Sequence, residues 1–374
     1  MKLSKRSRFT LFLFFSTILI FSTEVFAQAP IKIGMTAPMT GPGAMIGRDM
    51  RDAALLMFDK VNAAGGINGQ KLELLIMDEK NQPTVALNVT KKLIYQDKIF
   101  ALYSCYSPTT LAVLPLTQET ETPHFCVGVA KKILEMGNNW FCRTTPSDTI
   151  LAGHYVTFAV KDLKLKKIAI LMENTDYGKG GAGDLTDKMK EYSMKPLLVE
   201  SYNLGDKDFA GQLNKIKNSG ADCLFVWGLY VEGAQIIRQA KQLGLPMPIL
   251  GSSGLLQGAF FDLVGNDADG VYLETYFYLD NPDPNVQTFI KEYRAKYNYD
   301  PQPGAGIIYD ASTMLVNALK KVGPDKHKVI KELRANKFKG VLGRMECDNV
   351  GQCGRSALIL QVKGGKPKLV WTSD

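Results

Sequence analysis

A strict alternation of short apolar runs with helix-period segments restricts this chain more than any other feature. Apolar runs at 31–36, 71–77, 98–103, 123–127 and 140–143 are separated by helical patterns at 47–64, 83–96 and 108–121. Strands that are apolar on both faces and joined by helices form a parallel sheet covered on both sides. The stretch Arg143-Thr-Thr-Pro-Ser-Asp148 breaks the rhythm. A second alternation follows: helix 149–162, strand 167–172, helix 180–193, strand 197–202, helix 207–219, strand 222–227, helix 231–243 and strand 247–251. A strand at 272–278, helices at 285–298, 305–321 and 325–336, and strands near 340–346, 356–363 and 367–371 complete the chain. The predicted fold class is α/β, with two doubly wound, Rossmann-like parallel-sheet lobes.

The first unit, Ile31 to Asp78, carries a loop with Gly41, Pro42, Gly43 and Gly47, through which backbone amides can approach a ligand. Lys2, Lys5, Arg6 and Arg8 precede an almost wholly apolar run at 9–21, and Val25-Phe26-Ala27 places small residues at the −3 and −1 positions of a cleavage site. The run is short for a membrane span of about 20 residues. Residues 1–27 therefore read as a cleavable signal peptide. With no cysteine near the cut, lipid attachment is not expected, and the mature chain is expected to be soluble and exported. Cleavage lowers the formal charge from +8 to +5 over 347 residues. No dense basic cluster appears, so no nucleic-acid partner is expected. That length exceeds what one core holds and favours two domains.

Six cysteines in an exported chain permit disulfides. Cys347 and Cys353 close a short loop, CDNVGQC, suited to a bridge; any two of Cys105, Cys126 and Cys142 could pair, and Cys223 reads as a buried thiol. With three histidines and no CxxC, no metal site is expected. Gly178-Lys-Gly-Gly-Ala-Gly183 matches dinucleotide-fingerprint spacing. Five residues, Glu173 to Tyr177, separate it from its strand, so a glycine-eased helix start is favoured and no cofactor is expected. Gly251-Ser-Ser-Gly254 lacks the second glycine of a nucleophile elbow, and no histidine has triad context. The chain is not expected to be an enzyme.

What remains is binding. Ligands of open α/β sheets sit beyond the carboxyl ends of the strands, near helix N-termini. Those ends are Gly41–Gly47, Ser104–Thr109, Val127–Lys131, Glu173–Tyr177, Gly228–Glu232 and Gly251–Gly254. Ser107 suits an N-cap and Pro108 a first helical turn; free amides there would hold a carboxylate, unless Ser107 is a plain cap. Tyr177 and Tyr230 read either as cleft residues or as packing.

IKIGMTAPMTGPGAMIG, NAAGGINGQKLELLIMDE, CYSPTTLAVLP, NTDYGKG, GDKDFAGQLNKIKNSGADCLFVWGLYVEGAQIIRQAKQLG and GIIYDASTMLVNALKKVG occur in the order that resembles the periplasmic solute-binding proteins of the branched-chain amino-acid type, which serve ABC importers. The resemblance spans essentially the whole mature chain. It implies a type I periplasmic binding fold: lobe one at 28–147 plus 277–338, lobe two at 148–276 plus 339–374, joined by three hinge crossings and closing on a small solute. It also implies an ABC permease in the inner membrane as partner and a monomeric state. Carried over, the carboxylate-binding loop falls on Tyr106 and Ser107, a second contact on Ala130 and Lys131, and second-lobe contacts on Tyr177, Leu229 and Tyr230. The large aromatic of the first loop falls on Ile46. The acid that pairs with a ligand ammonium falls near Ser253, which cannot replace it. Either Glu173, Asp176 or Glu232 supplies the charge, or the ligand is an aromatic or aliphatic carboxylate without an ammonium. A ligand-sensing module for a membrane receptor is the alternative use of the same fold.

Overall fold

The computed structural model of the protein describes residues 28–41, 43–256, 259–335 and 337–373; the expected leader, 1–27, lies outside the described residues. The first half runs β1 (Ile31–Ala37), α1 (Ala44–Ala63), β2 (Leu72–Asp78), α2 (Pro83–Tyr95), β3 (Ala101–Ser104), α3 (Ser107–Glu119), β4 (His124–Cys126), α4 (Lys132–Glu135) and β5 (Phe141–Cys142). Its five strands form one parallel sheet in the order β2-β1-β3-β4-β5. Strand β1 is an interior strand, paired on both edges: Ile33 lies opposite both Leu74 and Ala101. Ile33 and Met35 are fully buried, which is why IKIGMTA is apolar without alternation.

The second half runs α5 (Asp148–Lys161), β6 (Ile168–Glu173), α6 (Asp176–Lys190), β7 (Leu198–Tyr202), α7 (Ala210–Asn218), β8 (Cys223–Trp227), α8 (Tyr230–Gln242), β9 (Ile249–Gly251), α9 (Phe260–Val264) and β10 (Tyr272–Thr275). The chain then returns to the first sheet with α10 (Pro284–Tyr297), α11 (Pro303–Val322) and α12 (Lys326–Ala335). Helix α11 packs along α1, burying Met50, Ala53 and Phe58 on one side and Ile307, Ile308 and Met314 on the other. A hairpin, β11 (Lys337–Gly340) and β12 (Gly343–Glu346), leads back to β13 (Leu358–Lys363) and β14 (Lys366–Thr372) in the second sheet.

Two expectations need correction. The second sheet, ordered β14-β13-β10-β9-β8-β6-β7, is mixed, because β13 runs antiparallel to both β10 and β14. The turn between β13 and β14 is Gly364-Gly365, with φ of +59° and +73°, the left-handed pair that a tight hairpin needs. Secondly, the single strand expected near 340–346 is folded in two. Val341 and Leu342 form its turn, and their N–H groups donate to the two carboxylate oxygens of buried Asp310, at 2.9 and 3.0 Å.

The chain thus crosses between the sheets three times, after β5, after β10 and after β12. Arg143, fully buried, ties the first and third crossings together. Its N–H donates to the Gly351 carbonyl and its carbonyl accepts from Cys353, while its Nε donates to Gln352 Oε1 at 2.9 Å. Cys347 and Cys353 are joined by a disulfide in this loop. Cys105, Cys126, Cys142 and Cys223 are buried free thiols, so none of the first three pairs. Burial pushes the Cys126 and Cys142 thiols up to about 12. Among the described residues, no helix is long and apolar enough to cross a membrane.

Candidate ligand-binding cleft

The strand ends of both sheets face one another across a cavity of about 400 Å³. From the first sheet come Ile46, Asn81, Pro83, Cys105 to Pro108, and Val127 to Val129. From the second come Glu173 to Tyr177, Lys179, Leu204, Leu229, Ser253, Gly254 and Tyr276. The two walls are therefore the carboxyl ends of β2, β3 and β4 on one side and of β6, β7, β8, β9 and β10 on the other, where an α/β sheet exposes its helix N-termini. Helix α6 touches α3 at the margin, and Lys132 Nζ lies 3.8 Å from Asp176 Oδ1 across it.

Ser107 is not the N-cap that its sequence position suggested. Tyr106 occupies that position in extended conformation (φ −76°, ψ 158°), and Ser107 is the first helical residue. The Ser107 hydroxyl oxygen instead accepts the Ala130 N–H at 3.2 Å, fixing the loop after β4. Gly128 makes this close approach feasible, since a Cβ there would stand 2.9 Å from the Ser107 nitrogen. The consequence for the implied site is a shift of register. Gly128 and Val129 wall the cavity, whereas Ala130 sits behind them with its N–H spent on Ser107. Lys131 is half-exposed and pairs with Glu135 at 3.4 Å, a surface contact rather than a cleft one.

Tyr106, Ser107, Tyr177, Leu229, Ser253 and Ile46 all line the cavity. Tyr177 belongs to the first turn of α6 rather than to a loop, and its phenol donates to Ser252 Oγ at 3.0 Å, so its ring is a wall. Tyr230 opens α8 and lines an adjoining cavity with Glu232, Gly41 and Gly43; the two cavities share Asn81, Tyr106, Leu204 and Leu229. The glycine loop therefore borders this side chamber, and Ile46 is its contribution to the main one.

The fingerprint-like glycines lie inside α6, whose N-cap is Thr175, with Oγ1 accepting the Gly178 N–H at 3.3 Å. A Cβ at Gly178 would strike the Glu173 backbone, and one at Gly181 the Trp227 indole, so both serve close packing. Asp208 accepts the Ala210 N–H at the start of α7.

Asn81, Pro83, Leu204 and Tyr276 were not singled out from sequence. Each lies a few residues beyond β2, β7 or β10, so applying the strand-end rule to every strand would have found them. Glu173 is the buried charge of the cleft, 2 % exposed. Its Oε1 accepts the Thr175 hydroxyl at 2.8 Å, whereas Oε2 is buried without a partner. Burial, helped by the nearby Glu232 carboxylate, pushes Glu173 up to about 7.

Two α/β lobes joined by three crossings, with a cavity between their strand ends, define a solute-binding protein. The chain belongs to the periplasmic binding protein family, whose sequence model matches residues 30–366. It is 30 % identical, over 88 % of this chain and 89 % of the relative, to the leucine-, isoleucine-, valine-, threonine- and alanine-binding protein of Pseudomonas aeruginosa. The branched-chain amino acid transporter substrate-binding protein LivJ of Streptococcus pneumoniae, solved with isoleucine, superposes with a TM-score of 0.84 at 26 % identity, covering 91 % of this chain and 99 % of that one. The fold is shared also with a solute-binding protein from R. palustris in complex with benzoate (TM-score 0.85, 19 % identity, 92 % and 96 % covered). The protein is thus a substrate-binding component of an ABC transporter, of the Leu/Ile/Val-binding type, and not an enzyme.

Proposed function

We propose that the protein is exported to the periplasm, captures a small amino acid of branched-chain or hydrophobic type between its lobes, and delivers it to an inner-membrane ABC permease. One observation carries this reading: the N-terminus of α3, with Ser107 at its first position, opens onto a cavity whose remaining wall includes Ile46, Val127, Val129, Leu204 and Leu229. Unpaired helix amides and a hydroxyl suit a carboxylate, and the apolar wall suits an aliphatic or aromatic body. Tyr106, Ser107, Ile46, Tyr177, Leu229 and Ser253 are the proposed contacts, with Tyr230 serving a longer ligand through the side chamber. The lobes, 28–147 plus 277–338 and 148–276 plus 339–374, would close by rotation about the crossings. The amino acids named for the Pseudomonas aeruginosa relative and the isoleucine of LivJ support the ligand class.

A second reading, a carboxylate without an ammonium, is favoured by Ser253, which brings no charge where an acid is expected. A thermal-shift panel of hydrophobic amino acids, aliphatic carboxylates and aromatic carboxylates tests both. A ligand at 100 times its Kd adds about 2.7 kcal/mol to stability. Stabilisation by amino acids supports the first reading and by carboxylates alone the second; none by either class refutes both.

A further inference from the structure

We propose that Glu173 is the counter-charge for a cationic nitrogen of the ligand, so that the cleft selects zwitterionic amino acids over the same skeletons lacking the ammonium. This rests on the reading above that a carboxylate docks at α3. Ser253, 3 % exposed, contributes no charge. Asp176 is half-exposed and faces Lys132. Glu232 already accepts the Gly205 N–H at 2.9 Å and lines the side chamber. Several other buried carboxylates have partnerless oxygens, among them Glu79, Asp148 and Glu274, but they are not part of the cavity wall. Glu173 is.

Its position is rigid. Glu173 ends β6, paired with Tyr202 of β7, and Oε1 is held by Thr175. That leaves Oε2 as a buried acceptor that makes no hydrogen bond, with the Leu229 backbone N–H nearby. A half-satisfied buried carboxylate is costly, and a cation placed against it recovers that cost and supplies attraction in a low dielectric. Lys179, the cationic residue of the cavity wall among the described residues, is exposed at the rim. The ligand would thus lie with its carboxylate on the first lobe and its ammonium on the second, spanning the cleft. Binding would then favour closure.

The groups facing Glu173 are Glu232 from α8, Tyr202 from β7, Tyr177 from α6 and Tyr106 at the entry to α3. None is cationic, so the unliganded carboxyl is held near neutrality on the pH scale and an arriving ammonium must displace its proton. Amino-acid binding therefore releases protons near pH 7 and tightens as pH rises.

Calorimetry with L-leucine against 4-methylpentanoate, and L-phenylalanine against 3-phenylpropanoate, tests this on the wild-type protein and Glu173→Gln. The expected result is a preference of about tenfold or more for the amino acid in each tighter-binding pair, collapsing toward unity in Glu173→Gln. From a free carboxyl titrating at about 7, wild-type affinity for the amino acid is expected to rise about tenfold between pH 6 and pH 8. Heats in phosphate and Tris buffers would report the released proton, which Glu173→Gln would lack. Equal or tighter binding of the des-amino acids, a preference that survives Glu173→Gln, or an inverted pH slope overturns the proposal while leaving carboxylate docking standing. Failure of all four probes to bind overturns carboxylate docking as well. Should Glu173→Gln not fold, the wild-type pH profile and proton count decide alone.

Discussion

Two of the glycines of helix α6, Gly181 and Gly183, flank Ala182 two positions apart, and their replacement by alanine should move stability in opposite directions. Both sit well inside the helix, where glycine costs up to about 1 kcal/mol relative to alanine. At Gly183 an added Cβ meets nothing within 4 Å, so Gly183→Ala keeps the whole gain, about 0.5–1 kcal/mol. At Gly181 the three nearest atoms all belong to the Trp227 indole: Cδ1 at 2.5 Å, with Nε1 and Cε2 closer still. Trp227 is fully buried and packed beside Tyr177, with ring centroids 6.3 Å apart, so the indole has no free direction in which to swing. Overpacking of this kind costs about 1–3 kcal/mol, which exceeds the helix gain. Gly181→Ala should therefore destabilise, and by displacing Trp227 toward Tyr177 it should also loosen ligand binding. Urea unfolding followed by circular dichroism, with unchanged m, measures both variants. If Gly181→Ala is as stable as wild type, the indole is not the rigid neighbour described and the packing argument is wrong.

Ser107→Ala removes both a ligand-facing hydroxyl and the acceptor for the Ala130 N–H, so it should lower ligand affinity about tenfold and cost about 1–3 kcal/mol of stability; calorimetry and denaturation read the two effects separately. Arg143→Met should cost about 3 kcal/mol or more, since the guanidinium holds the Ala130 carbonyl at 3.0 Å and Gln352 at 2.9 Å, and an unchanged unfolding midpoint would contradict that role. Reducing Cys347–Cys353 should cost about 2 kcal/mol by loop entropy, checked by melts with and without reductant. His124, between Ser104 Oγ at 2.7 Å and Thr117 Oγ1 at 3.2 Å, is held by burial down to about 3 from an ordinary 6.5. Its neutral form therefore contributes stability above the unfolded pKa that is lost as pH falls from about 6.5 toward 3, by about 1.4 kcal/mol per pH unit. The stability of wild type relative to His124→Gln should shrink over that window.

Strand and helix order was legible because buried parallel strands are apolar on both faces, a pattern that does not depend on partners. Sheet direction at the edge was less so. Leu358–Lys363 and Lys366–Thr372 read as strands, but their antiparallel pairing depends on where the third crossing re-enters; the Gly364-Gly365 pair was the signal that marked it. In the cleft, the strand-end rule brought Ser107, Tyr177, Leu229 and Ser253 to one cavity. The same rule marked Val127–Lys131, of which Val127, Gly128 and Val129 line the cavity; the carry-over from the family placed the contact at Ala130 and Lys131 instead, because which residue of a loop faces inward depends on a contact with another loop, here Ser107 with Ala130. Local capping preference assigned Ser107 to the helix, while the tertiary hydrogen bond takes its oxygen elsewhere. The free thiols are a similar case: Cys105, Cys126 and Cys142 end three strands of one sheet, yet ending strands close together does not aim sulfurs at each other.

The Arg143 guanidinium reaches from the first crossing to the carbonyls of Gly128, at 3.5 Å, and Ala130, at 3.0 Å, directly behind the first-lobe wall. That wall is thus braced from the same point about which the lobes would turn, and it should keep its shape whether they stand apart or together. Capture would then divide into two kinetic stages. The encounter rate would be governed by the first lobe alone, ready-made before closure, and the residence time by what the second lobe adds. Changes at Ser107 should slow arrival, and changes at Glu173 should hasten departure.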